Sequence, residues 1–184
     1  MDEKRISHNR QSNRLQGYDY SSPGAYFVTI VSRNRLPIFG GIISGEVHVS
    51  RIGKIVKDCW LEIPKHFQSV TLDEYVIMPN HLHGIVIIDE HHRVGARHAS
   101  PNSTNDKNTK PKGTPIQSLG AIIGSFKSAA TKLIHKEGLI KDQFIWQRNY
   151  YEHVIRDDED YLRIVEYIQF NPITWENDQE YILQ

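Results

Sequence analysis

Cysteine, long apolar runs and net charge are all scarce in this chain of 184 residues. Its one cysteine, Cys59, excludes an intramolecular disulfide and a cysteine-based zinc site. No apolar run approaches the ~20 residues that a membrane-spanning helix needs. Since no signal peptide precedes Tyr18 either, we expect a cytoplasmic protein without a membrane partner. The hydrophobic content of 39% is sufficient for one globular domain with its own core.

The charge is balanced overall but not along the chain. The 22 Lys and Arg residues offset 22 Asp and Glu residues, giving a formal net charge of zero. From Glu152 to the end, two basic residues stand against nine acidic ones, a net of −7, so the preceding residues carry +7. The total charge therefore does not indicate a nucleic-acid partner, whereas the charge of the first four-fifths is compatible with one.

The most informative stretch is residues 75–88. Two runs rich in β-branched residues flank Pro79-Asn80, a pattern typical of two antiparallel strands joined by a tight turn. Because side chains alternate along a strand, His81 and His83 share one face, about 7 Å apart along the strand. Two such imidazoles can hold one divalent metal. Taken alone, the pair is better explained as half-buried polar residues near a turn, because so short a pattern also occurs by chance.

The rest of the pattern predicts an α+β domain. The order strand, helix, strand, strand, helix, strand, helix suits a ferredoxin-like antiparallel sheet with packed helices. We predict a polar N-terminal arm over residues 1–17, one domain over 18–175 with a flexible loop at 89–115, and a tail at 176–184. The other predicted elements are a strand Ala25–Ser32, a hairpin Phe39–Val49, a helix from the cap Ser50 to about Pro64, a helix from Leu119 to near Gly138, a strand Phe144–Ile155, and a helix from the cap Asp157 to about Phe170.

The last helix carries a tyrosine away from its core-facing stripe. At about 100° per residue, Tyr167 falls roughly 120° from the middle of that stripe, and Asn171 lies four residues further on the same face. Tyr167 is therefore a candidate nucleophile, and Asn171 a candidate oxygen ligand beside it. The alternative is a tyrosine at the rim of the helix with its hydroxyl in water.

Four basic residues are candidates for contacts with a nucleic-acid backbone. Arg10 and Arg14 lie in the N-terminal arm, and Lys127 and Lys132 lie on the polar side of the predicted third helix. Lysine and arginine contact phosphates in this way. A solvated tail is the better explanation of Arg10 and Arg14, whereas the solvent-exposed side of a helix explains the two lysines equally well.

Three motifs occur in order: Met78-Pro79-Asn80-His81-Leu82-His83, Trp146-Gln147-Arg148-Asn149-Tyr150-Tyr151-Glu152-His153-Val154-Ile155-Arg156, and Glu166-Tyr167-Ile168-Gln169-Phe170-Asn171-Pro172. Together they resemble the single-tyrosine transposases of the His-hydrophobic-His (HUH) class, in particular the REP-associated tyrosine transposases. The resemblance runs from about Arg14 to Pro172.

The resemblance implies an activity and a set of site residues. It implies a ferredoxin-like core, His81 and His83 as ligands of Mg²⁺ or Mn²⁺, and Tyr167 as the nucleophile that forms a 5′-phosphotyrosine link in single-stranded or hairpin DNA. Such proteins work as monomers or homodimers. The insertion-sequence relatives commonly carry Gln as a third ligand, four residues after the tyrosine, where this chain has Asn171.

Two other functions fit parts of the same pattern. A metal-dependent phosphodiesterase would activate water at the histidine pair and leave Tyr167 without a role. A non-catalytic module would bind single-stranded nucleic acid by stacking bases on surface aromatics. Neither requires Tyr167 and the histidine pair together.

Overall fold

The computed structural model describes residues 18–90, 117–141 and 144–177. The described residues include two short 3-10 turns, Arg33–Arg35 and Trp175–Asn177. In chain order the strands and helices are β1 (Gly24–Val31), β2 (Gly40–Ile43), β3 (Glu46–Val49), α1 (Arg51–Leu61), α2 (Ile63–His66), β4 (Val70–Ile77), β5 (His81–Ile88), α3 (Leu119–Lys136), β6 (Tyr151–Ile155) and α4 (Asp158–Phe170).

A four-stranded antiparallel sheet, ordered β4-β5-β1-β6, forms the centre of the domain. β1 lies between two strands that come much later in the chain, with α1 and α3 in the connections. This is the ferredoxin-like α+β arrangement that the sequence predicted. β2 and β3 pair with each other as a separate hairpin, as predicted for Phe39–Val49.

The two faces of the sheet pack against different helices. The larger core lies beneath α1 and α3, and the smaller one, built from Phe27, Ile85, Ile164 and Ile168, lies beneath α4. Gly84, between these layers, permits a close approach, because a Cβ there would stand 2.5 Å from the ring of Trp60 in α1. Both faces of the strand that carries the histidines are therefore covered.

The predicted helix starts are confirmed by their caps. The Ser50 hydroxyl accepts a hydrogen bond from the Gly53 amide, and the Asp157 carboxylate accepts one from the Asp160 amide, which satisfies amides that a helix leaves unpaired at its start. The helix predicted from Ser50 to about Pro64 ends earlier than expected. α1 stops at Leu61, and Pro64 lies inside the short α2, where proline is tolerated in the first turn.

The prediction of a strand over Phe144–Ile155 is wrong in its first half. β6 begins only at Tyr151, and before it Trp146 makes a single isolated bridge to Ser32. The aromatic residues that suggested a strand instead line a loop. Within β6 the predicted alternation holds, with Ile155 packed beneath α4 and Val154 packed in the core on the opposite face.

Several predictions fall outside the described residues. These are the N-terminal arm with Arg10 and Arg14, the loop at 89–115 beyond Glu90, and the tail beyond Asn177. Within the ranges that the structure describes, no helix is long and apolar enough to cross a membrane.

Candidate active site

His81 and His83 meet at the start of β5, on the face covered by α4. Their side chains are buried, with 0% and 2% of their surface exposed. The two Nε2 atoms face each other at 2.8 Å. The side chains therefore bend toward each other, because residues two apart on a strand are about 7 Å apart along the backbone. The two histidines are therefore fully buried rather than half-buried, and their assignment as metal ligands stays a prediction.

Each imidazole is oriented through its other ring nitrogen. His81 Nδ1 lies 2.8 Å from Asn80 Oδ1, and His83 Nδ1 lies 2.9 Å from Thr29 Oγ1. Asn80 donates its own amide hydrogen to the carbonyl oxygen of Arg35 at 3.1 Å, so its Oδ1 is the acceptor for His81. His81 Nδ1 therefore carries the proton, which leaves the lone pair on Nε2 directed at His83.

This arrangement fits a bound cation. Two imidazole nitrogens 2.8 Å apart share a proton in a hydrogen bond when no ion is bound, whereas two deprotonated nitrogens at that distance would repel each other. Two imidazole nitrogens on one ion stand about 3.0–3.4 Å apart, given metal–nitrogen bonds of ~2.1 Å, so a small opening of the pair admits an ion. Among the residues that the structure describes, no group of three His, Cys, Asp or Glu side chains could hold a metal. Further ligands from this part of the chain would be amide or hydroxyl oxygens, or else water or substrate.

Tyr167 reaches the same point from α4. Its hydroxyl oxygen lies 3.2 Å from His83 Nε2, and its ring makes edge contacts with His83 and with Phe27, at centroid distances of 5.0 and 6.0 Å. The side chain is still 42% exposed, so a substrate can approach it. The off-stripe tyrosine thus has a definite place beside the imidazoles, with Phe27 as the packing partner that the sequence did not indicate.

The chain beyond α4 turns back over the histidines. Asn171 follows the helix directly and is buried, with 1% exposed. Four residues later, the ring of Trp175 lies 5.7 Å from that of His81. Asn171 thus sits between two residues that both contact the histidine pair, and its assignment as a third ligand stays a prediction.

Three side-chain contacts dock α4 on the sheet. The Tyr161 hydroxyl donates to Asp73 of β4 at 2.7 Å, and Gln169 donates to Glu74 at 3.1 Å. At the other side, His153 of β6 lies 2.7 Å from the Asp160 carboxylate. This contact holds the pKa of Asp160 below its usual value, and the bond to Asp73 raises the pKa of Tyr161. The helix is therefore anchored to both edge strands of the sheet.

The candidate DNA contacts differ in their surroundings. Lys127 donates its ammonium hydrogens to the carbonyl oxygens of Gln147 and Asn149, and burial lowers its pKa to about 8. Lys132 is exposed on α3. Lys127 therefore supports the loop before β6, and a contact of either lysine with DNA stays a prediction.

Thr29 and Trp175 are site residues that the sequence analysis missed. Thr29 lies in a buried apolar strand, and its position opposite His83 depends on the pairing register of β1 and β5. Nothing in the local pattern marks it, apart from being a polar residue in an apolar run. Trp175 follows the last predicted helix and had no predicted element to place it.

Comparisons with known proteins connect this geometry to a family. No family model matches the chain. A protein of Haemophilus influenzae described as uncharacterized is 46% identical over 175 residues, covering 95% of this chain and 94% of its own length. A second protein of that organism, named as a candidate REP-associated tyrosine transposase, is 24% identical over 163 residues, covering 84% of this chain and 73% of its own.

A solved structure shares the fold. The structure of a REP-associated tyrosine transposase bound to a REP hairpin matches 88% of this chain and 73% of its own, with a TM-score of 0.56 and 20% sequence identity. The fold agrees with the ferredoxin-like arrangement described above. The resemblance of the three ordered motifs to the REP-associated tyrosine transposases is thus confirmed by the similarity to the named relative, and the solved structure shares the fold.

Proposed function

We propose that this protein is a transposase that cleaves and rejoins single-stranded DNA at hairpin-containing sites through a 5′-phosphotyrosine intermediate, with the help of a divalent metal. The observation that carries the proposal is the 3.2 Å contact between Tyr167 Oη and His83 Nε2, beside the 2.8 Å contact between the two histidines. A partly exposed phenol beside two buried, converging imidazole nitrogens forms a nucleophile next to a cation site.

The chemistry assigned to Tyr167 is an exchange of phosphate esters. Its oxygen attacks phosphorus, the P–O3′ bond breaks, and the 3′ oxygen leaves and takes up a proton in place of the one lost by the phenol. One phosphate ester is replaced by another, so a second 3′-hydroxyl can reverse the step and rejoin strands without an external energy source. Tyrosine has an unperturbed pKa near 10 and is a weak nucleophile at neutral pH, so the site must favour the attacking phenolate and the developing charge.

The two histidines are the residues that would hold the metal, each through Nε2. Their Nδ1 contacts with Asn80 and Thr29 leave both Nε2 atoms directed inward, as is typical of imidazole ligands. When bound, the ion polarises a phosphate oxygen and offsets the charge that develops in the transition state. We assign Mg²⁺ or Mn²⁺ from the family resemblance, with Asn171 as a third ligand, although imidazole also suits zinc.

The proposed substrate follows from the comparison and from the site. The related solved structure contains a REP hairpin, and we propose that this chain also acts on single-stranded DNA beside a hairpin. Exposure of the Tyr167 side chain, at 42%, supports access of a polymeric substrate rather than of a small enclosed molecule.

The test is capture of the covalent intermediate. A labelled hairpin oligonucleotide with unpaired flanks is incubated with the full chain and Mn²⁺, then run on a denaturing gel. We expect a slow-migrating protein–DNA band that Tyr167→Phe abolishes and that His81→Ala reduces by at least about a hundredfold, the size expected for loss of a catalytic group. Tyr75→Phe is the matched control, because Tyr75 packs in the core on the opposite face of the sheet.

The same gel separates the alternatives. Cleaved DNA without an adduct, still formed by Tyr167→Phe, would indicate a phosphodiesterase that activates water. DNA binding without cleavage, unaffected by His81→Ala and by removal of metal, would indicate a non-catalytic binding module. Either result contradicts the proposal.

A further inference from the structure

We propose that a groove beside the histidine pair binds the unpaired DNA strand that continues from the cleaved phosphate. This inference rests on the proposed function and adds to it a second contact surface. The groove has a volume of about 990 Å³ and runs from the end of β1 along the loop that precedes β6. Thr29 lines it, and the same Thr29 bonds to His83, so the groove opens directly next to the candidate active site.

Exposed aromatic rings line the groove. Phe144 is 63% exposed and Tyr151 is 44% exposed, although aromatic side chains are normally buried where packing allows. Such rings are the surfaces on which proteins stack unpaired bases, and stacking tolerates any base because every base has a flat face. The groove therefore offers two stacking positions without a fixed requirement for sequence.

The charged residues that the structure describes in the groove are basic. Arg33 and Arg148 line it, and among the described lining residues there is no Asp or Glu. The Arg33 guanidinium lies over one face of the Phe144 ring, 5.2 Å from its centre, so a base stacked on the other face has a cation for its phosphate nearby. The combination of arginine with exposed aromatics is the chemistry of a single-strand binding groove, whereas a peptide-binding groove needs no such excess of positive charge.

Hydrogen bonds fix the wall of the groove. The Arg33 amide donates to the Ile145 carbonyl oxygen at 2.7 Å, and the Gln147 amide donates to that of Val31 at 2.9 Å. From the other side, the Lys127 ammonium donates to the Gln147 carbonyl oxygen at 2.7 Å. The loop is therefore held in place before DNA arrives, which lowers the entropy lost on binding.

A continuous row of rings joins the groove to Tyr167. Tyr151 makes an edge contact with Phe27 at 6.3 Å between centroids, and Phe27 contacts both His83 and Tyr167. A base stacked on Tyr151 is therefore separated from the Tyr167 ring by Phe27 alone. A blunt hairpin has no unpaired base to place there.

The test compares the binding of two labelled DNA hairpins, one blunt and one with an unpaired extension. Both are titrated with the full chain carrying Tyr167→Phe, so that no cleavage follows, and the dissociation constants are measured by fluorescence anisotropy. We expect the extended hairpin to bind more tightly. Phe144→Ala weakens its binding by about fivefold or more, as loss of one stacked base does, and leaves the blunt hairpin unchanged. Phe144→Tyr keeps the ring and retains the affinity.

A salt titration tests the arginine contact separately. Arg148→Gln lowers the slope of log affinity against log salt by about 0.7, the value for one phosphate of a single strand. Lys57→Gln is the matched control, since Lys57 is exposed on α1 on the opposite side of the sheet, and it leaves the preference for the extended hairpin unchanged.

The failure of this inference and that of the proposed function give different results. If Phe144→Ala and Arg148→Gln bind both hairpins as their parent does, the groove does not hold DNA, and the covalent adduct of the unaltered chain is unaffected. If the adduct never forms but the extended hairpin depends on Phe144, the groove stands and the transposase chemistry does not.

Discussion

At the scale of the residue, the two imidazoles depend on neighbours that are not themselves ligands. Asn80 and Thr29 each bind an Nδ1 atom, and both are buried, with 1% and 6% exposed. A histidine ring without such a partner can rotate about its χ2 angle and present the wrong nitrogen. Partners of this kind typically change metal affinity by about ten- to a hundredfold.

We therefore expect Thr29→Val, which keeps the shape and removes the hydroxyl, to raise the Mn²⁺ concentration for half-maximal adduct formation by about tenfold or more. The rate at saturating Mn²⁺ changes much less, because Tyr167 and both ligands remain. Thr71→Val, an exposed threonine on β4, is the control. An unchanged Mn²⁺ titration would show that Thr29 does not orient His83.

At the scale of the element, α4 carries the candidate nucleophile and is held on the sheet by polar contacts as well as by its small apolar core. Its buried apolar residues are Ile164 and Ile168. Tyr161 bonds to Asp73 on β4, and Asp160 to His153 on β6. These contacts set where the helix lies on the sheet, and with it the position of the Tyr167 hydroxyl.

Tyr161→Phe removes the bond to Asp73 and keeps the ring. We expect the free energy of unfolding, measured by urea denaturation, to fall by about 1–2 kcal/mol, at the low end for a hydrogen bond to a charged group because this contact is only partly buried. The rate of adduct formation at saturating Mn²⁺ falls as well, because the helix is less well held. Leu162→Ala, on the exposed side of the same helix with 63% of its surface accessible, should leave that rate at the parental value. Equal adduct rates for Tyr161→Phe and its parent would contradict this account of how α4 is positioned.

At the scale of the whole molecule, one chain supplies every part of the candidate site. The histidines come from β5, their partner Thr29 from β1, and Tyr167 from α4 of the same chain. The hydroxyl reaches His83 without a second copy. Of the two oligomeric forms implied by the resemblance, we therefore expect the monomer to be sufficient for cleavage.

Mixing two inactive proteins tests this directly. Tyr167→Phe retains the histidine pair, and His81→Ala retains the tyrosine. If each chain cleaves with its own tyrosine, the mixture forms no more adduct than the two proteins separately. Recovery of the adduct would show that copies exchange α4. As a control, parental protein is mixed with each variant, to show that neither variant inhibits adduct formation.

Much of the fold and part of the site could be predicted from the sequence, because the relevant signals are local. Alternation placed His81 and His83 on one face, and helical periodicity separated Tyr167 from the stripe that packs on the sheet. The same reasoning failed for residues 144–150, where an aromatic pattern typical of a strand belongs to a loop fixed by Lys127 and by the ends of β1.

The sequence by itself determined the kinds of chemistry available: two imidazoles on one strand face, a phenol off the core stripe, and caps that start the helices. Only the tertiary structure decided that these groups meet, that Thr29 orients one of them, and that Phe144 and Arg148 line a groove beside them. The physical reason is that side-chain periodicity is set within a few residues of chain. Contacts across 54 or 84 residues depend instead on strand register and on which helix covers which face of the sheet.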